Sequence, residues 1–236
     1  MLCKIADLIA EVPEAGGLAP RCGEYLYSGK EGADVIIRTD LYRQDHYGPK
    51  ASEELIAYME SAYQFYMELV KHDGFYLHAS AVALDDRAYL FSAPPGTGKS
   101  THTRLWQSIF GASAEVFNDD KPALRQIGGT WYAYGTPWCG KDGINTNRKV
   151  PLGGICFLKQ AQENRIRRLT QQEAVQRILS QTIYRFQNEA MLNSMLISLD
   201  KLVREIPVYE LENRPEFAAA QLSYETMRRG AEEMGL

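Results

Sequence analysis

Ala88-Tyr89-Leu90-Phe91-Ser92-Ala93-Pro94-Pro95-Gly96-Thr97-Gly98-Lys99-Ser100-Thr101 is the stretch that decides the fold. Its apolar start reads as a short buried strand. A Pro/Gly turn follows and ends in Gly-Lys-Ser, ahead of a segment with helical character. In such a strand-loop-helix unit, consecutive backbone N–H groups and the helix N-terminus concentrate positive potential on an anion. Residues Pro95, Gly96, Thr97, Gly98, Lys99, Ser100 and Thr101 are therefore expected to cradle the phosphates of a nucleotide. Lys99 would reach the β- and γ-phosphates, and the Ser100 hydroxyl would hold Mg²⁺. The loop pattern asks for Gly at its first position, where this chain has Ala93. Alanine disfavours positive φ, so that corner must turn in an ordinary region of backbone space. The competing reading is a Gly/Pro turn with no ligand.

Working outward, Tyr76 to Leu84 and Arg87 to Ala93 read as two strands joined at Asp85-Asp86. So short a link implies an antiparallel hairpin. With Leu84 opposite Arg87, His78 falls opposite Ala93, at the mouth of the loop; a one-residue slip would turn it to the other face. Downstream, residues 98–110 read as a helix stopped by Gly111, and Glu115-Val116-Phe117 as a strand ending in Asn118-Asp119-Asp120. A crossover of this length is expected to return the second strand parallel and adjacent to the first. Asp119 and Asp120 would then meet Lys99 and Ser100 on one edge. One carboxylate could hold Mg²⁺ and the other accept a proton from an attacking hydroxyl. Spacing alone leaves open which does which; Ser100 with Asp120 is the metal set taken here.

The remaining chain frames this unit. Residues 1–50 look β-rich and irregular, with Val35-Ile36-Ile37 as a strand and Gly16-Gly17, Gly29 and Gly32 as turns. They are expected to form a small portion packed on a nucleotide-binding domain of residues 51–236. From Ser52, a credible N-cap, an apolar stripe at helical spacing runs to Val70, and Gly74 marks its stop. Trp131–Tyr134 and Gly154–Leu158 read as strands, and the last third as helical, with a capping box at Thr170–Glu173 and Pro215 opening the final helix. The fold expected is α/β with a mixed sheet and an atypical phosphate loop beside an antiparallel strand.

The 236 residues carry a net charge of −4, so no basic field favours nucleic acid. No apolar run is long enough to span a bilayer, and no signal-peptide layout opens the chain. Cys3, Cys22, Cys139 and Cys156 lack paired spacing; reduced thiols in a cytosol are the expectation. Oligomeric state is not legible. Residues 135–150 form a glycine-bearing loop that could close over a nucleotide or shape an acceptor pocket. Arg148 could oppose charge on a transferring phosphoryl group. Cys139 has no evident histidine partner and reads as a small buried residue. Arg165, Arg167 and Arg168 read as a solvated helix entry. His46, His72 and His102 attract no argument.

Taken in order, His78-Ala79-Ser80, Ala93 to Ser100 and Asn118-Asp119-Asp120 resemble the motifs of the HPr kinase and phosphoenolpyruvate carboxykinase superfamily. Gly-Thr-Gly-Lys and Asn147-Arg148-Lys149-Val150-Pro151 look most like the carboxykinases, whereas the size and the ending Ile206–Leu211 look like small bacterial serine-kinase relatives of HPr kinase. The resemblance spans roughly residues 75–225 and implies an ATP- and Mg²⁺-dependent kinase of phosphoenolpyruvate carboxykinase-like fold. It implies Lys99 and Ser100 on phosphate and metal, Asp119 and Asp120 as acid/base and metal ligand, His78 as the active-site histidine and Arg148 near the γ-phosphate. Ala93 departs from the HPr kinase loop, and the glutamate-arginine-glycine signature of HPr kinases is not found, so HPr is not implied as acceptor. The expected activity is γ-phosphoryl transfer to a hydroxyl on a seryl side chain of a peptide or protein, or on a small molecule. The alternative is a nucleotide-sensing interaction protein that transfers nothing; phosphatase or phosphorylase chemistry on the same site is a third reading.

Overall fold

The computed structural model describes residues 1–14, 17–183 and 188–236; Gly16 of the expected Gly16-Gly17 turn lies outside the described residues. The strands are β1 (Leu2–Ile5), β2 (Leu8–Glu11), β3 (Val35–Ile36), β4 (Gly74–Tyr76), β5 (Ala79–Leu84), β6 (Arg87–Ser92), β7 (Glu115–Asn118), β8 (Ala123–Ile127), β9 (Thr130–Tyr134), β10 (Lys149–Gln160), β11 (Arg165–Arg168) and β12 (Val208–Asn213). The α-helices are α1 (Glu53–Leu69), α2 (Lys99–Phe110), α3 (Gln171–Leu179), α4 (Glu189–Glu205) and α5 (Phe217–Glu233). No helix among the described residues is long and apolar enough to cross a membrane.

A mixed sheet runs in the order β4-β8-β9-β10-β6-β5-β7. It forks at the long strand β10, which pairs with β9 through Lys149–Pro151 and with β12 through Ile155–Gln160, while β11 extends the fork beyond β12. This is the mixed α/β architecture expected. Strand β6 shows why it forms. Ala88 and Leu90 join the core beneath α3 and α4, whereas Tyr89 and Phe91 join the core beneath α2 and α5. Both faces of the strand are apolar, as a sheet covered by helices on two sides requires. The N-terminal strands form a separate three-stranded sheet, β1-β2-β3. Its inward residues, among them Ile5, Leu8 and Val35, share a core with Phe65, Tyr66 and Leu69 of α1 and with Trp138.

Several expectations need correction. Strand β7 runs parallel to β6 but is not its neighbour: β5 lies between them, antiparallel to both. The hairpin had already filled that edge of β6, and β10 filled the other, so the crossover has to reach past β5. The strand expected over Tyr76–Leu84 breaks at Leu77-His78, because β4 pairs with β8 while β5 pairs with β6. Helix α1 gives way to a 3-10 turn, Val70–His72, which Asp73 closes in the left-handed region (φ 56°). Gly74 serves a different need: a Cβ there would meet the Leu124 carbonyl at 2.7 Å. Pro215 precedes the N-cap Glu216 of α5 and is not its first residue. The Arg165–Arg168 cluster is strand β11, its Arg167 paired with Glu173 and Glu210.

Candidate functional site

The Asp85-Asp86 turn has both residues at positive φ (51° and 57°), the geometry of a two-residue hairpin. It sets Leu84 opposite Arg87 and Ala79 opposite Ser92, the last pair of the ladder. His78 stands one residue beyond, in the break between β4 and β5. Its backbone N–H donates to the Gln181 carbonyl at 2.8 Å, and its carbonyl accepts from Ser92 Oγ at 2.8 Å. Beyond Ser92, Ala93 is buried and stays out of the left-handed region, which Gly96 (φ 78°) and Gly98 (φ 110°) occupy. Gly98 caps α2, whose first internal bond runs from His102 N to Gly98 O (2.9 Å). Helix geometry therefore leaves the amides of Lys99, Ser100 and Thr101 without intrahelical acceptors.

Lys99 folds back over this loop. Its Nζ donates to the Ala93 carbonyl at 3.0 Å and lies 3.1 Å from His78 Nε2. The same Nε2 lies 3.2 Å from Asp120 Oδ1, and His78 Nδ1 is 3.0 Å from Gln181 Oε1. A neutral ring that donates from Nδ1 to Gln181 offers its Nε2 lone pair to Lys99; a doubly protonated ring donates from Nε2 to Asp120. Burial lowers the Lys99 ammonium from its ordinary value, partly opposed by Asp120 and Asp119. Burial also presses the Asp120 carboxyl upward, but His78 and Lys121 outweigh it and hold the group at about 2. Lys121 forms an ion pair with Asp120 Oδ2.

Asp119 is held differently. Burial pushes its carboxyl up, and Oδ1 accepts the Gly140 N–H at 2.7 Å. The turn that presents both aspartates is built by Asn118, whose Oδ1 accepts from the backbone N–H of Asp120 (3.2 Å) and Lys121 (2.9 Å). This is an Asx-type turn. Asn118 Nδ2 donates to the Thr136 carbonyl at 3.0 Å, tying the turn to the 135–150 segment.

The first part of that segment is anchored in the core. Thr136, Trp138 and Cys139 are buried, and Trp138 packs on Phe65 at 4.9 Å between ring centroids. Arg21 Nη1 contacts Cys139 Sγ at 3.1 Å and Tyr58 Oη at 3.2 Å, and Tyr58 donates to the Cys139 carbonyl at 2.7 Å. Cys139 is thus a buried thiol, raised by burial. Arg148 is not brought to the phosphate loop. Residues 145–148 run beside β7, with Asn145 bridged to Asn118, and Arg148 forms an ion pair with Glu115 at the far end of that strand. Sequence reasoning also missed Gln181 and Gly140, placed by pairing distant in sequence, and Lys121, which pairs with its own neighbour Asp120.

The parallel strands β6, β7, β10 and β12 end on one edge, where open α/β sheets commonly bind ligands. A cleft of about 690 Å³ opens there between Gly96–Gly98, Thr101 and His102 on one side and residues 160–162 and 213–215 on the other. Among the described residues, no cluster of three His, Cys, Asp or Glu side chains is arranged to cage a metal.

The profile of the family described as SynChlorMet cassette protein ScmC matches residues 49–216, which include the whole of this site. The chain belongs to this family. No curated protein matches the chain. Among solved structures, the HPr(Ser) kinase/phosphatase from Coxiella burnetii is similar at 12% identity and a TM-score of 0.40, over 68% of this chain and 92% of that one.

Proposed function

We propose that this protein is an ATP- and Mg²⁺-dependent phosphotransferase that phosphorylates a hydroxyl, carried by a seryl side chain of a peptide or protein or by a small molecule. One observation carries the reading: His78 Nε2 stands between Lys99 Nζ (3.1 Å) and Asp120 Oδ1 (3.2 Å) at the mouth of a glycine-turned loop that opens α2. A loop that only turned the chain would have no use for a half-buried lysine, histidine and aspartate in contact.

The residues present fit nucleotide and metal. The amides of Lys99–Thr101 and the Lys99 ammonium would receive the phosphates. Ser100 and Asp120 would hold Mg²⁺, which commonly takes one or two carboxylates beside substrate phosphates. When bound, the ion neutralises charge on the phosphates. Asp120, held at about 2, is a permanent anion and suits that role. Asp119, raised by burial, is the better proton acceptor for the attacking hydroxyl. The Gly140 N–H fixes its orientation. His78 sets the spacing between lysine and aspartate.

The test is ADP formation from Mg·ATP across serine peptides and small alcohols, comparing the native chain with Asp119→Asn. Acceptor-dependent turnover lost in the variant, with Mg·ATP still bound, is the expected result. Equal turnover in both removes the mechanism, and nucleotide binding without turnover on any acceptor favours a sensor.

A further inference from the structure

The cleft of about 690 Å³ begins at the phosphate loop and runs away from the lysine–histidine–aspartate cluster. Its near wall includes His102, 1% exposed, and its far wall carries the amides of Gln160, Gln162 and Asn213. The protonation of His102 follows from its neighbours. Ser223 Oγ has one proton, donated to the Ala220 carbonyl at 2.8 Å. The same oxygen receives Trp106 Nε1–H at 3.0 Å and contacts His102 Nε2 at 2.9 Å. With the Ser223 proton placed on the Ala220 carbonyl, Ser223 accepts from His102, and the tautomer assigned here carries its hydrogen on Nε2. Nδ1 is then a bare acceptor, and among the described residues it has no partner. Burial also holds the ring at about 4, so a proton does not quench that lone pair near neutrality. Phe91, with ring centroids 4.6 Å apart, packs against the imidazole.

A buried acceptor without a donor is costly and calls for an explanation. We infer that the donor arrives with the ligand: the cleft takes the nucleoside, and His102 Nδ1 accepts a hydrogen bond from a hydroxyl of its sugar. This rests on the nucleotide reading above. The order along the helix favours the sugar over the base. His102 follows directly after Lys99–Thr101, the amides assigned to phosphate, and the sugar is the first group beyond the phosphate chain. The base would continue toward Gln160, Gln162 and Asn213.

Affinity for Mg·ATP, Mg·2′-deoxyATP, Mg·3′-deoxyATP and Mg·tripolyphosphate, measured by calorimetry on the full chain, tests this. The native protein is expected to bind one deoxynucleotide about tenfold more weakly than ATP. His102→Gln keeps an amide N–H where Nε2 stood and removes the Nδ1 acceptor. It should lose the same factor for ATP, lose all ribo/deoxy discrimination and keep tripolyphosphate affinity. His102→Asn, whose amide falls at the Nδ1 position, should retain ATP affinity. Equal binding of ATP and both deoxynucleotides by the native protein overturns the inference, whether or not the variants fold, and so does undiminished discrimination in His102→Gln. Absence of binding by ATP and tripolyphosphate alike overturns the nucleotide reading itself, and this one with it.

Discussion

Replacing Gly140 by alanine should impair catalysis while sparing nucleotide affinity. A Cβ at this position would lie 2.9 Å from Asp119 Oδ2, 3.1 Å from Oδ1 and 3.2 Å from Cγ. Gly140 is not at positive φ, so alanine meets no backbone penalty and the perturbation is steric. Ordinary contact begins at 3.4 Å, so the carboxylate must retreat by half an ångström (3.4 less 2.9). A retreat of that size stretches the 2.7 Å bond from Gly140 N to Asp119 Oδ1 to the edge of hydrogen-bonding range. Hydrogen bonds to charged groups contribute about 1.5–3 kcal/mol. Loss of that orientation at the proton acceptor corresponds to roughly a 10- to 100-fold fall in turnover. The acidic limb of the pH–rate profile should also move upward, because the Gly140 N–H opposes the effect of burial on Asp119. The assay is ADP release at saturating acceptor, with Mg·ATP affinity measured in parallel. Turnover within about threefold of native, or a matching loss of Mg·ATP affinity, would refute the assignment of Asp119.

Three further outcomes are expected. Lys99→Met removes the ammonium from the loop and should weaken Mg·ATP binding by at least about tenfold, with unchanged far-UV circular dichroism. Gly98→Ala has open space for its methyl group, but φ of 110° strains it; chemical denaturation should show a loss of about 1–3 kcal/mol. Asp120 has its folded pKa lowered from 3.8 to about 2, so its contribution is present above 3.8 and is lost as pH falls toward 2. The shift amounts to roughly 2 kcal/mol, and urea titrations across that window should show native stability falling by about this much more than that of Asp120→Asn.

The parts of the site that were legible in sequence are those fixed by local chemistry. Gly96 and Gly98 announce the left-handed corners, Lys99 follows them, and a two-residue Asp85-Asp86 turn leaves the hairpin one symmetric register that delivers His78 to the loop. The Asx turn at Asn118 explains why Asp119 and Asp120 sit together at a strand end. What escaped notice depends on pairing across long separations. That β5 stands between β6 and β7 is decided by which sheet edges are already filled. Arg148 answers to Glu115, and nothing in its own segment reveals that carboxylate. Gly140 looked like loop punctuation, yet its amide serves a side chain 21 residues earlier in the chain. His102 attracts no argument from its own segment, because the hydroxyl it contacts, Ser223, lies 121 positions away.

The intervening strand has a geometric corollary. With neighbouring strands about 4.8 Å apart, β6 and β7 stand nearly 10 Å from one another at their ends. A lysine and a carboxylate mounted across such a gap fall short of direct contact, and a lone imidazole fits the interval. Because β5 travels the opposite way, its beginning shares a rim with the others' finishes. The chain has therefore laid down the middle of its polar row before it reaches either side.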